Sequence, residues 1–282
     1  MVSLPIASTP AGLSAKRWLQ SIGAIGSLLA LIILGASMLL RLTSIFGADG
    51  HVISTLPAAT EATIRMFHRV AASAVGLLAV GVVILCRARR PLPACVVKPI
   101  ACVLAATVIL ALIGPLTPGY RVAAVTILNV LGGVVLLMAF WWLRELMATD
   151  SAARLPVTTL LRAAILVFLA QVATGAAASA TQMHGVRVFA VLHLGSALLS
   201  TMFVGACLWE RKATLPVAAW SIAAAGIMMA QLTLGFVLMG VEARPLWLAF
   251  LHAMLAPMLA ISLVSLAIRS PTPVGITRLP DV

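Results

Sequence analysis

Three histidines and one asparagine stand in otherwise apolar stretches of this sequence: His68, Asn129, His193 and His252. Each is followed four positions later by a small residue, Ala72, Gly133, Ala197 and Ala256 respectively. Positions i and i+4 share one face of a helix, about one turn apart. The spacing therefore sets a polar group and free room on the same face. Imidazole is a good iron ligand, and the flat macrocycle of haem needs such room beside its ligand. His193 and His252 make the stronger pair, suited to one shared bis-histidine haem. His68 is a third candidate ligand, with Asn129, a poor iron ligand, at the equivalent place. The alternative for each is an interhelical hydrogen bond, with the small residue serving close packing. Met66 and Met254 lie two residues from a histidine, hence on another face, and read as packing.

Positioning these residues requires a frame of helices, and the composition says in which solvent. Of 282 residues, 62% are hydrophobic and 9% charged, and the mean hydropathy is +1.15. Soluble domains carry about a quarter charged residues, so lipid is the solvent for most of this chain. The net charge of +12 is spread in short clusters beside apolar runs. That placement suits topology signals and lipid-headgroup contacts and argues against nucleic acid, whose partners concentrate charge on one face. Cys86, Cys95, Cys102 and Cys207 have no zinc-ribbon spacing, and their expected cytoplasmic-side placement disfavours disulfides.

Apolar runs at about 18–40, 62–86, 99–115, 122–143, 160–180, 188–208, 216–240 and 246–268 predict eight transmembrane helices, each near the roughly 20 residues a bilayer requires. Pro and Gly clusters at 87–93, 115–119 and 150–156, and Pro245, separate several of them. With the N-terminus inside, 13 of the 19 Lys and Arg residues fall on the cytoplasmic side and six on the outer side. This bias predicts that both termini are cytoplasmic. The implied organisation is a tail 1–19, a four-helix half 20–146, a linker 147–159, a second half 160–269 and a tail 270–282. No acidic residue falls within the runs as drawn, which counts against a transporter built from internal repeats.

The halves read as pseudo-repeats. The fifth run contains Gln171-Val-Ala-Thr-Gly175 and the seventh Gln231-Leu-Thr-Leu-Gly235, while the four polar positions above recur in runs two, four, six and eight. All even runs enter from the outer face, so the four positions are expected at one level in the outer leaflet. Polar residues inside a membrane are functional candidates by default. His51 and His184 fall in outer loops and read as surface residues. Arg69, Arg121, Arg187 and Arg244 either pair with haem propionates or mark the interface.

These residues resemble the haem A synthase family, over essentially residues 20–268. The most specific stretch runs from Leu34-Gly35 through Arg41-Leu-Thr-Ser to Phe67-His68-Arg69-Val-Ala-Ala, and Gln231-Leu-Thr-Leu-Gly235 followed by His252 adds a second. The resemblance implies a bacterial cytoplasmic (inner) membrane protein with its haem sites toward the outer face. It implies haem b on His193 and His252. It also implies haem O as substrate near His68, Asn129, Arg65 and Arg69, its C8 methyl oxidised to formyl. Haem O synthase and terminal-oxidase assembly factors are the implied partners.

Three features depart from the family pattern. Arg65 stands where the family has a glutamate, with Glu61 one turn earlier as the candidate substitute; Asn129 replaces a histidine; and residues 42–61 hold no cysteine pair. All three fall in the half expected to be catalytic. The sequence therefore reads as a divergent member, and its alternative function is that of a b-haem electron-transfer or haem-handling protein without synthase activity.

Overall fold

The computed structural model describes residues 10–46, 52–88, 94–116, 123–149, 158–181, 188–210, 215–241 and 245–269. The elements are α1 (Pro10–Leu42), β1 (Ser44–Phe46), β2 (Val52–Ser54), α2 (Ala58–Ala88), α3 (Ala94–Ile113), α4 (Ala123–Ala148), α5 (Thr159–Thr181), α6 (Val188–Glu210), α7 (Leu215–Gly240) and α8 (Leu246–Arg269). A short 3₁₀ turn, Gly114–Leu116, closes α3. Among the described residues, eight helices are long and apolar enough to cross a membrane. Leu77, Leu112, Leu166, Met202 and Ile222 are each well over half exposed. Such a surface suits lipid, and helices satisfy the backbone that lipid cannot. The chain is a multi-pass membrane protein.

Several boundaries differ from the expected ones. Helix α1 begins at Pro10, eight residues before the apolar run; proline's missing N–H costs nothing in a first turn. Helix α3 carries Pro99 inside it rather than at its start. The carbonyl that loses its helical donor there is four residues back, at Cys95, close to the helix start. The fold is all-helical as expected, apart from the three-residue strands β1 and β2, which pair antiparallel with Ser44 opposite Ser54. At the start of α5, the backbone N–H of Leu161 donates to Thr158 Oγ1 at 3.3 Å, an N-cap. Among the described residues no disulfide joins the four cysteines.

Helices α1 and α4 are zipped together through glycines. A Cβ at Gly26 would stand 2.3 Å from the Phe140 ring, one at Gly23 2.6 Å from the Arg144 backbone nitrogen, and one at Gly133 2.7 Å from Leu34 Cδ2. Small residues allow this approach between membrane helices, where packing rather than hydrophobicity drives association. In the first four helices α1 packs on α2 and α4, and α3 on α4; in the last four α5 packs on α6, and α7 on α8. Helix α4 also packs against α5 and α8. One core, including Leu34, Val134, Leu137, Phe168, Leu259 and Leu263, crosses this junction.

A polar cluster ties α4 to α8 far from the histidines. Glu145 lies inside the α4 span and is 0% exposed, which corrects the expectation that no acidic residue enters a span. The sequence-drawn helix stopped two residues short of it, because Arg144 there reads as a cytoplasmic flank. Arg269 Nε donates to Glu145 Oε2 at 2.5 Å, and Arg144 pairs with Oε1. Trp141 Nε1 donates to Ser265 Oγ at 2.7 Å, and the Arg144 guanidinium lies 4.3 Å from the Trp141 ring centre. A buried carboxylate needs such partners to remain charged.

Candidate functional site

Helices α6 and α8 bring His193 and His252 together: their ring centres are 6.3 Å apart and their planes are at 88°. Each ring is held from the neighbouring odd helix. His193 Nδ1–H donates to the backbone carbonyl of Gln171 at 3.2 Å, and His252 Nδ1–H to that of Gln231 at 3.0 Å. A carbonyl can only accept, so these bonds place the Nδ1 proton and leave each Nε2 as the lone-pair nitrogen.

The Gln-x-x-x-Gly repeats account for this geometry. In a helix the carbonyl of residue i points toward residue i+4, so the Gln171 carbonyl points at Gly175 and the Gln231 carbonyl at Gly235. Without a Cβ, each glycine lets the imidazole lie against the helix and reach that carbonyl. A Cβ at Gly175 would stand 2.8 Å from His193 Cε1, and one at Gly235 3.2 Å from His252 Cε1. Sequence reading found both motifs as marks of repetition and missed their role as ring cradles. Thr174 and Ser196 share a 2.8 Å hydrogen bond that further joins α5 to α6.

A cavity of about 640 Å³ adjoins both rings, within the size range of small-molecule and cofactor sites. Ala197 and Ala256, the small residues one turn from each histidine, line it, with Val172, Leu194, Met228 and Leu232 giving apolar wall. Its polar members include Arg41 of α1, 9% exposed, and Gln171 and Gln231, 2% and 4% exposed. Both glutamine Oε1 atoms are buried without a hydrogen-bond partner among the described residues.

Among the described residues that line the cavity, His193 and His252 carry the imidazoles. Two neutral imidazoles suit a metal whose other positions a macrocycle already fills. A metal–nitrogen bond is about 2.0–2.1 Å and an imidazole nitrogen lies about 1.1 Å from its ring centre, so opposed rings on one ion stand roughly 6.3 Å apart. The observed separation of the two ring centres equals that spacing.

The first half differs. His68 is half-buried on α2, ten residues after the helix start, whereas Asn129, His193 and His252 follow theirs by five or six. Among the described residues neither His68 nor Asn129 has a hydrogen-bond partner. The room expected beside Asn129 at Gly133 is taken by Leu34. Arg65 pairs with Glu61 one turn earlier, its Nε at 2.7 Å from Oε1, so the candidate catalytic carboxylate already has a cation on it. Arg69 is exposed. Met66 is exposed and Met254 packs near Gly35, as expected of packing residues. His51, His184, Arg121, Arg187 and Arg244 lie outside the described residues. Compared with known proteins, the chain matches no family model and no curated sequence.

Proposed function

We propose that this chain is a membrane haem oxidoreductase in which His193 and His252 ligate one b-type haem. The observation that carries the reading is the cradled imidazole pair, with 6.3 Å between ring centres, beside a largely apolar cavity. A haem bound there supplies one-electron chemistry. The chain's own residues orient it. The Gln171 and Gln231 carbonyls fix the tautomer and direction of each ligand, as hydrogen-bonded partners do for metal-bound histidine, and the apolar wall keeps water from the iron. The correspondence of α1–α2 with α5–α6 and of α3–α4 with α7–α8 supports two pseudo-repeated halves, although the close α1–α4 packing has no equal between α5 and α8. The bias of Lys and Arg supports cytoplasmic termini, with the haem toward the outer face of a bacterial inner membrane.

Purification from a haem-replete host tests this. The protein should carry one haem per chain with a six-coordinate low-spin spectrum, lost in His193→Ala and His252→Ala and kept in His68→Ala. A colourless protein, or full haem in both ligand variants, rules it out.

A second reading adds haem A synthase activity, oxidation of the C8 methyl of haem O to formyl. The observation favouring it is His68, half-buried on α2 and without a hydrogen-bond partner among the described residues, which leaves its ring nitrogens for a substrate haem. Co-expression with a haem O source should then yield extractable haem A that His68→Ala abolishes. Bound haem b without haem A assigns the electron-transfer or haem-handling reading instead.

A further inference from the structure

The cavity beside His193 and His252 is open on one side. Helix α6 packs closely on α5, and α7 on α8, whereas α6 and α7 meet only slightly although both contribute wall. On α6 the wall residues Ala190, Leu194, Ala197 and Thr201 follow one another at three- and four-residue steps, a single helical stripe. The next residue round from three of them, Val191, Leu198 and Met202, is exposed, so the cavity stripe runs directly into the outer surface. On α7 the wall residues Phe236 and Met239 are themselves exposed. Val191 and Met239 both belong to the wall, yet they are 68% and 63% exposed, as enclosed side chains are not. These residues form a rim. A Cβ at Gly195 or Gly226 would meet open space, so no described element covers the outward faces of the two helices there.

The rim is apolar and lies inside the apolar spans Val188–Trp209 and Ala218–Gly240. Facing water, such a rim would cost about 25 cal/mol for each Å² left wet; facing hydrocarbon, it carries no such penalty. Gln171 and Gln231, polar residues of the same wall, are buried instead. We infer that the seam between α6 and α7 is the loading mouth of the site, through which a porphyrin dissolved in the bilayer enters edge-first. This rests on the haem reading above. A flat macrocycle slides between two helices that stand apart, and its apolar edge stays against lipid once His193 and His252 hold the iron. The reaction that supplies the site must therefore release its porphyrin into the membrane and not into water.

The full-length protein, haem-free in phosphatidylcholine nanodiscs, is mixed with phosphatidylcholine vesicles carrying ferric protoporphyrin IX, and growth of the bis-histidine spectrum is timed. The double variant Val191→Trp, Met239→Trp places two indoles across the seam. It should load about ten-fold more slowly, with its final affinity within about two-fold of wild type, because an obstructed mouth slows entry and exit alike. The full final spectrum shows that its fold survives. Leu112→Trp, a comparably exposed position on α3, should load like wild type. An unchanged rate in the double variant overturns the inference, and so does a loss of affinity as large as the loss of rate, which would make both residues part of the binding wall. Failure of wild type to load at all overturns the haem reading itself. A second measurement reads the medium at the rim. Nitroxides at Val191→Cys and Met239→Cys, with the four native cysteines replaced by serine, should relax faster with oxygen than with a water-soluble nickel chelate. The reverse order makes the mouth aqueous, and the inference falls.

Discussion

The imidazole planes of His193 and His252 are mutually perpendicular, at 88°, and each is locked by a carbonyl on a different helix. Crossed axial planes leave the two iron orbitals that π-bond to imidazole almost equal in energy. Ferric protein should therefore give the strongly anisotropic low-spin electron paramagnetic resonance signal of crossed ligands. The ordinary rhombic signal of parallel imidazoles would show that the rings turn on binding.

The two cradles are unequal, which predicts unequal mutants. A methyl at Gly175 meets His193 at 2.8 Å, whereas one at Gly235 meets His252 at 3.2 Å. Gly175→Ala should displace its ring, costing about 1–3 kcal/mol as overpacking does, and lower haem occupancy markedly. Gly235→Ala should cost less. Equal haem content in both variants, measured by pyridine haemochrome, contradicts the cradle geometry.

Much of this was legible in the sequence because it is local. Apolar run lengths located the eight helices of the described residues, and the two histidines that the fold brings together stood out as imidazole followed by a small residue at i+4. Relations between helices were not legible. The room beside each i+4 residue depends on the neighbour: Ala197 and Ala256 face the cavity, while the space at Gly133 receives Leu34. Arg41 and Glu145 were passed over for a related reason. A charge at a helix end reads as a topology signal, and nothing in the linear order shows that it turns inward.

The Glu145 cluster should bear on stability and leave the haem untouched. Glu145→Gln leaves Arg144 and Arg269 without their counter-charge, and breaking a buried pair costs about 3–5 kcal/mol. Trp141→Phe, which removes the bond to Ser265 and trims the ring beneath Arg144, should cost less, about 1–2 kcal/mol. Thermal unfolding in detergent should rank the two in that order. Arg269 lies 17 residues beyond His252 on α8, roughly 25 Å away along the axis, so the absorption spectrum of the folded fraction should be unchanged. A spectral shift in Glu145→Gln would show coupling between the ends.

Gln171→Leu and Gln231→Leu should retain the bis-histidine spectrum, because the bond to each histidine comes from the main chain. Both also remove a buried Oε1 that lacks a partner, so neither should lower thermal stability. Loss of haem in either would move the orienting role to the side chain.

That the acceptors are main-chain carbonyls also bears on how the site can drift over generations. No side-chain replacement at positions 171 or 231 deletes the bond, apart from those that disrupt the helix itself. The tolerated alphabet there is wide, while at 175 and 235 it narrows almost to a single letter. Distant descendants of this chain should therefore betray the pocket by two persistent glycines, even after the residues that actually grip the ligands have changed beyond recognition.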